Sequence, residues 1–163
     1  MLMNLSEDFE KGWRLGVGII LINQENKIFM GERIDNKGAW QMPQGGVNIA
    51  KNESLNNAAK RELYEETGVK NAKIINQSEG WYYYYLPENL KTRLWGGKFL
   101  GQKQKWFLFS FEGTDQEINL QNDKKPEFNN WQWVSPKNVL NNIVNFKKEI
   151  YQKVLKEFKL ITR

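Results

Sequence analysis

Nine consecutive residues, Arg61-Glu62-Leu63-Tyr64-Glu65-Glu66-Thr67-Gly68-Val69, hold the densest chemistry in the chain. Three carboxylates, Glu62, Glu65 and Glu66, fall at spacing i, i+3, i+4, which puts them on one face of a helix. Like charges at that spacing repel, so a helix built only for stability rarely carries them. A hard divalent cation removes the conflict, because Mg2+ takes oxygen ligands. Taken alone, a Glu-x-x-Glu-Glu triplet is more often a solvated acidic face, since Glu is a good helix former. The surroundings reverse that balance. Glu53 lies eight residues before Arg61, and Gly45 and Gly46 lie just upstream of Glu53. A glycine loop, a Glu, a helix start and an acidic cluster together are far more specific than any one part.

The bulk of the chain narrows the chemistry further. It has 163 residues, 40% apolar and 26% charged, which is ordinary for one soluble globular domain. There is no cysteine and no histidine. Disulfides, thiolate chemistry, Ser-His and Cys-His catalysis and the common zinc ligand sets are therefore excluded. Catalysis must use carboxylates, Lys, Arg, Tyr, Ser or Thr, with any metal held by oxygens. A net charge of +5 and a pI near 9.3 suit a polyphosphate or nucleic-acid substrate, and equally a soluble surface. Met1 to Lys11 carries Glu7, Asp8 and Glu10 and no apolar run, unlike a signal peptide. Val17 to Ile22, the longest apolar stretch, is too short to span a bilayer. A cytoplasmic location is the expectation, with no membrane partner.

The elements that must position the acidic cluster can be read from periodicity. Leu15 to Ile22 reads as a buried strand, and Lys27 to Arg33 as its hairpin return after a turn at Asn23 to Asn26. Trp40 to Pro43 is a short extended piece leading into the glycine loop. Ser54 is a helix N-cap, Leu55, Ala58, Ala59 and Leu63 are the apolar stripe, and Gly68 is the C-cap. Ala72 to Gln77 and Trp81 to Leu86 read as strands. The second holds four tyrosines, Tyr82 to Tyr85, about half of which should face inward. Pro87 to Gly101 is a long polar loop, of a length that is usually functional or mobile. Lys103 to Glu112 reads as a strand apolar on both faces, and Trp131 to Val134 as a short strand before a helix opened by Ser135-Pro136. Phe146 to Lys159 reads as an amphipathic helix with Ile150, Val154 and Phe158 on its apolar side. Trp40, Trp106, Trp131 and Trp133 read as core. The order fits an α/β fold, an α/β/α sandwich around a mixed β-sheet in a single domain, with residues 1–12 a flexible arm and 13–159 the domain.

The pattern Glu, seven residues, Arg-Glu-Leu-x-Glu-Glu-x-Gly-Val resembles the Nudix box of the Nudix hydrolases. Further segments resemble the bacterial RNA pyrophosphohydrolases of that family, also called (di)nucleoside polyphosphate hydrolases. These are Trp40 to Gly46, Gly101 to Phe107, Glu127 to Val134 and Phe146 to Phe158, and the likeness runs from about Trp13 to Phe158. One departure stands out. Six residues separate Gly46 from Glu53, and seven separate Gly45 from it, a loop two residues longer than the family's.

The resemblance implies a Nudix fold and metal-assisted hydrolysis of a phosphoanhydride. It implies Glu62, Glu65, Glu66 and Glu127 as catalytic and metal-binding carboxylates, with the Gly45 carbonyl aimed at the metal. Which Glu takes the proton stays open. Mg2+ is the expected cofactor, with Mn2+ a possible substitute. Glu53 and Arg61 would pair to hold the loop on the helix, with Gly68 closing the box. Arg14, Arg33, Gln44, Gln102, Lys105, Phe146 and Lys147 match substrate contacts, and Phe146 and Arg33 could sandwich a base. The implied activity is trimming of a 5′-triphosphate or diphosphate RNA end to a monophosphate, initiating mRNA decay. A dinucleoside polyphosphate hydrolase is the alternative, and a non-catalytic nucleotide-binding module is the alternative of another class. A monomer is the expected state.

Overall fold

The computed structural model describes residues 9–91, 94–141, 143 and 145–162, with the side chains of Asn145 and Phe146 outside the described set. Strand β1 (Trp13–Ile22) turns into β2 (Ile28–Arg33), and two short strands follow, β3 (Trp40–Gln41) and β4 (Gln44–Gly46). Helix α1 (Leu55–Thr67) leads to β5 (Ala72–Gln77), β6 (Tyr82–Tyr85) and a one-turn helix α2 (Glu88–Lys91). Strands β7 (Gly101–Phe111) and β8 (Phe128–Val134) and helix α3 (Asn145–Glu157) complete the order.

All eight strands join one mixed sheet. β1 is its centre: it runs parallel to β7 from Trp13 opposite Gly101 to Ile22 opposite Ser110, and antiparallel to β2 and β4. Alternation along these strands makes two cores. Leu15, Val17, Ile19 and Leu21 of β1, with Phe107, Phe109 and Phe111 of β7, meet Leu55, Ala58, Ala59 and Leu63 of α1. Ile20 and Ile22, with Trp106 and Leu108, meet Ile150, Tyr151, Val154, Leu155 and Phe158 of α3. Burial on both faces explains why β1 and β7 read as continuous apolar runs. The arrangement is the α/β/α sandwich expected from the sequence.

Two glycines of β1 make room for β7 side chains. A Cβ on Gly18 would stand 2.3 Å from the Trp106 ring, and one on Gly16 would stand 2.1 Å from Gln102 Nε2.

The structure differs from the sequence reading at several boundaries. The glycine loop is partly strand, because β4 pairs with β1 at Gln44, Gly45 and Gly46. Segment 87–100 holds α2 and a 3-10 turn at Trp95–Gly97 rather than loop alone. β8 starts at Phe128, since it pairs with β2 down to Arg33. The expected arm falls on 1–8, outside the described residues, and on 9–12, which are tied down. Glu10 accepts a hydrogen bond from Tyr83 Oη at 2.7 Å, and Gly12 O accepts from Leu100 N at 2.8 Å. Among the described residues no helix is long and apolar enough to cross a membrane.

Candidate active site

Helix α1 is fixed at both ends. Ser54 Oγ accepts from Asn57 N at 3.1 Å, and Gly68, at φ 77°, donates to Tyr64 O at 2.8 Å. With its apolar stripe packed on β1, the helix has one rotation, and the acidic face is turned towards β4. Glu62 lies against Gly45 so closely that a Cβ there would fall 1.9 Å from its carboxyl carbon. Glu66 is buried, and its Oε2 accepts from Gln44 N at 3.1 Å. Glu65 is more open. Glu127 comes from the segment before β8, whose backbone carbonyl at that residue accepts from Ile34 N at 3.0 Å. All four carboxylates line one cleft of about 370 Å³.

Burial shapes their electrostatics. It pushes the Glu62 carboxyl up to about 7, against the pull of Arg61. Glu66 is driven well above the usual carboxylate range, first by burial and then by Glu62 and Glu127. Arg61 is the local counterweight. Its Nε and Nη2 donate to Glu53 at 2.7 and 2.9 Å, and Nη2 also donates to Gly46 O at 2.8 Å. Its Nη1 donates to Glu62 at 2.8 Å and to Glu65 at 3.2 Å. Among the described residues no three carboxylates stand ready as a metal cage, and Arg61 already engages two of the four. The donor set still fits a hard divalent cation. It consists of oxygens, it crowds negative charge into a buried wall, and Gly45 leaves no side chain between backbone and carboxylate.

The lengthened loop is closed off from this wall. Asn48 caps a 3-10 turn at Ile49–Lys51, and Asn52 ends it in the left-handed region at φ 53°. Asn48 N donates to Glu53 Oε1 at 3.0 Å, and Glu53 N donates back to Asn48 O at 3.1 Å. The extra residues bulge outward, and Glu53 still reaches Arg61.

Under the glycine strand lies a buried polar network. Tyr84 Oη and Gln104 Nε2 donate to Gln102 Oε1 at 2.6 and 3.1 Å. Gln102 Nε2 makes a long 3.5 Å contact with Gly45 O. Gln44 Nε2 donates to Tyr84 Oη at 3.3 Å, and Gln104 Nε2 to Gln44 Oε1 at 3.3 Å. Gln102 is therefore floor, not surface: it is fully buried and touches the cleft lining at Tyr84 and Gly45.

Cations face the acidic wall. The Arg14 guanidinium stacks 4.5 Å above Trp95, and burial lowers its pKa. Arg33 donates to both oxygens of Asp35, at 2.8 and 2.6 Å. Lys147, in the first turn of α3, is buried and donates to Gln41 Oε1 at 2.7 Å. Burial, aided by Arg33, brings its pKa down to about 7. Lys105 is not brought here. Its Nζ donates to Glu79 O at 2.9 Å and sits over Trp81, on the face of β7 opposite Gln102. The Phe146 side chain lies outside the described residues.

Residues 12–154 match the NUDIX domain family. The chain belongs to that family. An RNA pyrophosphohydrolase of Wolbachia pipientis is 44% identical over 154 residues, with 94% of each chain covered. One of Rickettsia bellii is 49% identical over 147 residues, covering 90% of this chain and 89% of its own. Among solved structures, the E. coli dihydroneopterin triphosphate pyrophosphohydrolase superposes with a TM-score of 0.67 at 17% identity, over 88% of this chain and 97% of that one. A C. elegans Ap4A hydrolase gives a TM-score of 0.61 at 14% identity, over 90% and 99%. Both likenesses show the fold alone.

Around the Nudix helix the cleft holds residues that sequence reasoning missed. Asp35, Gln41, Tyr84, Trp95 and Asp123 all line it. Asp35 had a signal, an opposite charge two residues from Arg33 before a turn. Trp95 had none beyond its place in a long polar segment.

Proposed function

We propose that this Nudix hydrolase is an RNA pyrophosphohydrolase, cleaving a phosphoanhydride at a 5′-triphosphate or diphosphate RNA end to leave a monophosphate. One observation carries the reading. A buried carboxylate wall and a cationic wall face each other across one cleft, in a chain 44–49% identical to RNA pyrophosphohydrolases over about 90% of its length. Glu62, Glu65, Glu66, Glu127 and the Gly45 carbonyl would hold Mg2+, with Mn2+ as a substitute. A divalent cation there supplies charge neutralisation on the polyphosphate and makes water a stronger acid. Arg14 and Lys147 meet phosphate charge, Gln44 lines the approach, and Arg33 offers a guanidinium plane for a base. Water attacks phosphorus, the bridging P–O bond breaks, and one wall carboxylate accepts the water proton. On this reading the enzyme acts as a cytoplasmic monomer at the start of mRNA decay, through a domain spanning residues 13–159.

The test is hydrolysis with Mg2+ of 5′-triphosphorylated RNA beside diadenosine tetraphosphate, with Glu65→Gln as the inactive control. A much higher kcat/KM on RNA is expected. A preference for the dinucleotide would replace this reading with the dinucleoside polyphosphate hydrolase. No turnover of either by the unaltered protein would leave a nucleotide-binding module.

A further inference from the structure

The four-tyrosine strand is only partly used by the cleft. Tyr84 points into it, while Tyr83 and Tyr85 point to the other face of β6 and are 41% and 63% exposed. On that reverse face they meet Trp13, whose ring lies 5.1 Å from Tyr83 and 4.9 Å from Tyr85. Gly101 stands opposite both Tyr85 and Trp13 in the sheet, and a Cβ there would fall 1.9 Å from the Tyr84 carbonyl oxygen, so the glycine lets β6 close onto β7 beside Trp13. Lys103 pairs with Tyr83 across the strands, and its Nζ lies 4.6 Å over Trp81 and 6.0 Å from the Tyr83 ring. Lys105 Nζ lies 5.1 Å over Trp81. Glu10 offsets one of these cations, since it accepts from Tyr83 Oη and pairs with Lys103 at 3.7 Å.

Three features identify what this face takes. Tyr83 and Tyr85 share one side of β6, with side chains roughly 6.8 Å apart, and Trp81 just before the strand meets the same Lys103. Cations are interleaved with them, Lys103 largely buried and paired with Glu10 and Lys105 bonded through Nζ to the Glu79 carbonyl, and rings alternating with cations suit a nucleic-acid strand better than an apolar partner. The face also lies one strand's thickness from the cleft. Arg14 and Tyr84 line the cleft, and their chain neighbours Trp13, Tyr83 and Tyr85 form the reverse side. Among the described residues β6 pairs with β7 alone, so its outer edge separates the two.

We propose that Trp13, Tyr83 and Tyr85, flanked by Lys103 and Lys105, form a stacking platform for the single-stranded RNA that follows the 5′ end. It rests on the RNA reading of the cleft. Stacking on aromatic faces tolerates any base, so the platform adds affinity without sequence preference. It makes longer transcripts better ligands than short ones, by a route that never touches the carboxylates.

The experiment compares the unaltered protein with Tyr83→Ala/Tyr85→Ala and Tyr83→Phe/Tyr85→Phe. Both positions are exposed, so the fold is retained. Binding is read by fluorescence anisotropy with 3′-labelled, 5′-monophosphorylated RNA of about twelve nucleotides and of three. Hydrolysis of a 5′-triphosphorylated dinucleotide is measured in parallel. The expected result is an affinity for the longer RNA about tenfold weaker in the alanine variant and unchanged in the phenylalanine variant. Affinity for the trinucleotide and kcat on the dinucleotide stay the same in all three proteins. Equal binding of the longer RNA by the alanine variant overturns the platform. So does an equal loss on both lengths, or a change in sedimentation with RNA affinity untouched, which assigns the face to a second copy of the chain. Absence of hydrolysis with the length-dependent binding intact would overturn the activity alone.

Discussion

Glu62 and Glu66 on one side of the cleft, and Arg33 on the other, hold their charges by opposite means, with Lys147 sharing a feature of each. The carboxylates sit on a capped helix packed against the central strand, and burial there raises both of their pKa values. The cations each have a local partner, Asp35 for Arg33 and Gln41 for Lys147. The acidic wall is thus imposed by the scaffold at a cost in stability, while Arg33 is satisfied where it stands and Lys147, though bonded to Gln41, carries a burial cost that brings its pKa down to about 7. Losing a charge should then have different consequences on the two sides. On the acidic side activity falls and the metal-free fold gains. At Arg33 substrate affinity falls and the fold hardly changes.

The strongest test of that contrast is Glu66→Gln. We expect kcat to fall about 10²–10⁴-fold while the metal-free Tm holds or rises, because Gln keeps an acceptor for Gln44 N and removes the buried charge. A lower Tm would break the comparison. Arg61→Ala comes next, since it releases Glu53, Gly46, Glu62 and Glu65 together. Urea denaturation should show a loss of about 1–3 kcal/mol, discounted because the guanidinium is a third exposed. Calorimetry should show weaker Mn2+ binding.

The pH dependence of the metal-free protein sharpens the same point. Folded Glu62 titrates at about 7, above its ordinary 4.5, so between these values the folded state binds more protons than the unfolded one. Its contribution is fully present below 4.5 and is lost as pH rises through about 7. Thermal unfolding without metal should show this decline, and saturating Mg2+ should remove it. On the cationic wall, Asp35→Asn frees Arg33, and KM should rise a few-fold with kcat and Tm unchanged. A drop in Tm of several degrees would mean that the pair is structural. The smallest effect is expected for Lys105→Ala with a 5′-triphosphorylated dinucleotide. Its side chain lies off the cleft, so kcat/KM should stay within about twofold.

The two walls also differ in how far the sequence exposes them. The acidic wall is one helix, so its period, its Ser54 cap and its Gly68 stop can all be read along the chain. The cationic wall is assembled by tertiary pairing from β1, the end of β2, segment 94–97 and α3, and no local pattern announces it. Gln102 and Lys105 show the limit most clearly. Both lie in a strand buried on both faces, so polarity alone does not say which face meets the cleft, and parity assigns one to the floor and the other to the far side. The turn at Ile49–Lys51 was hidden for another reason. It is closed by bonds between the Asn48 backbone and Glu53, and a count of residues sees only the added length.

That closure at Asn48 and Glu53 acts as a neck. Residues 49–52 stand outside every link that holds Arg61 to the glycine strand, since those links run through Glu53, Asn48 and Gly46. Loop length at this place is consequently free to drift in descent while the cleft is preserved. The same neck offers a grafting position: a short peptide or a fluorophore inserted between Ala50 and Lys51 would report on the enzyme from outside its cleft.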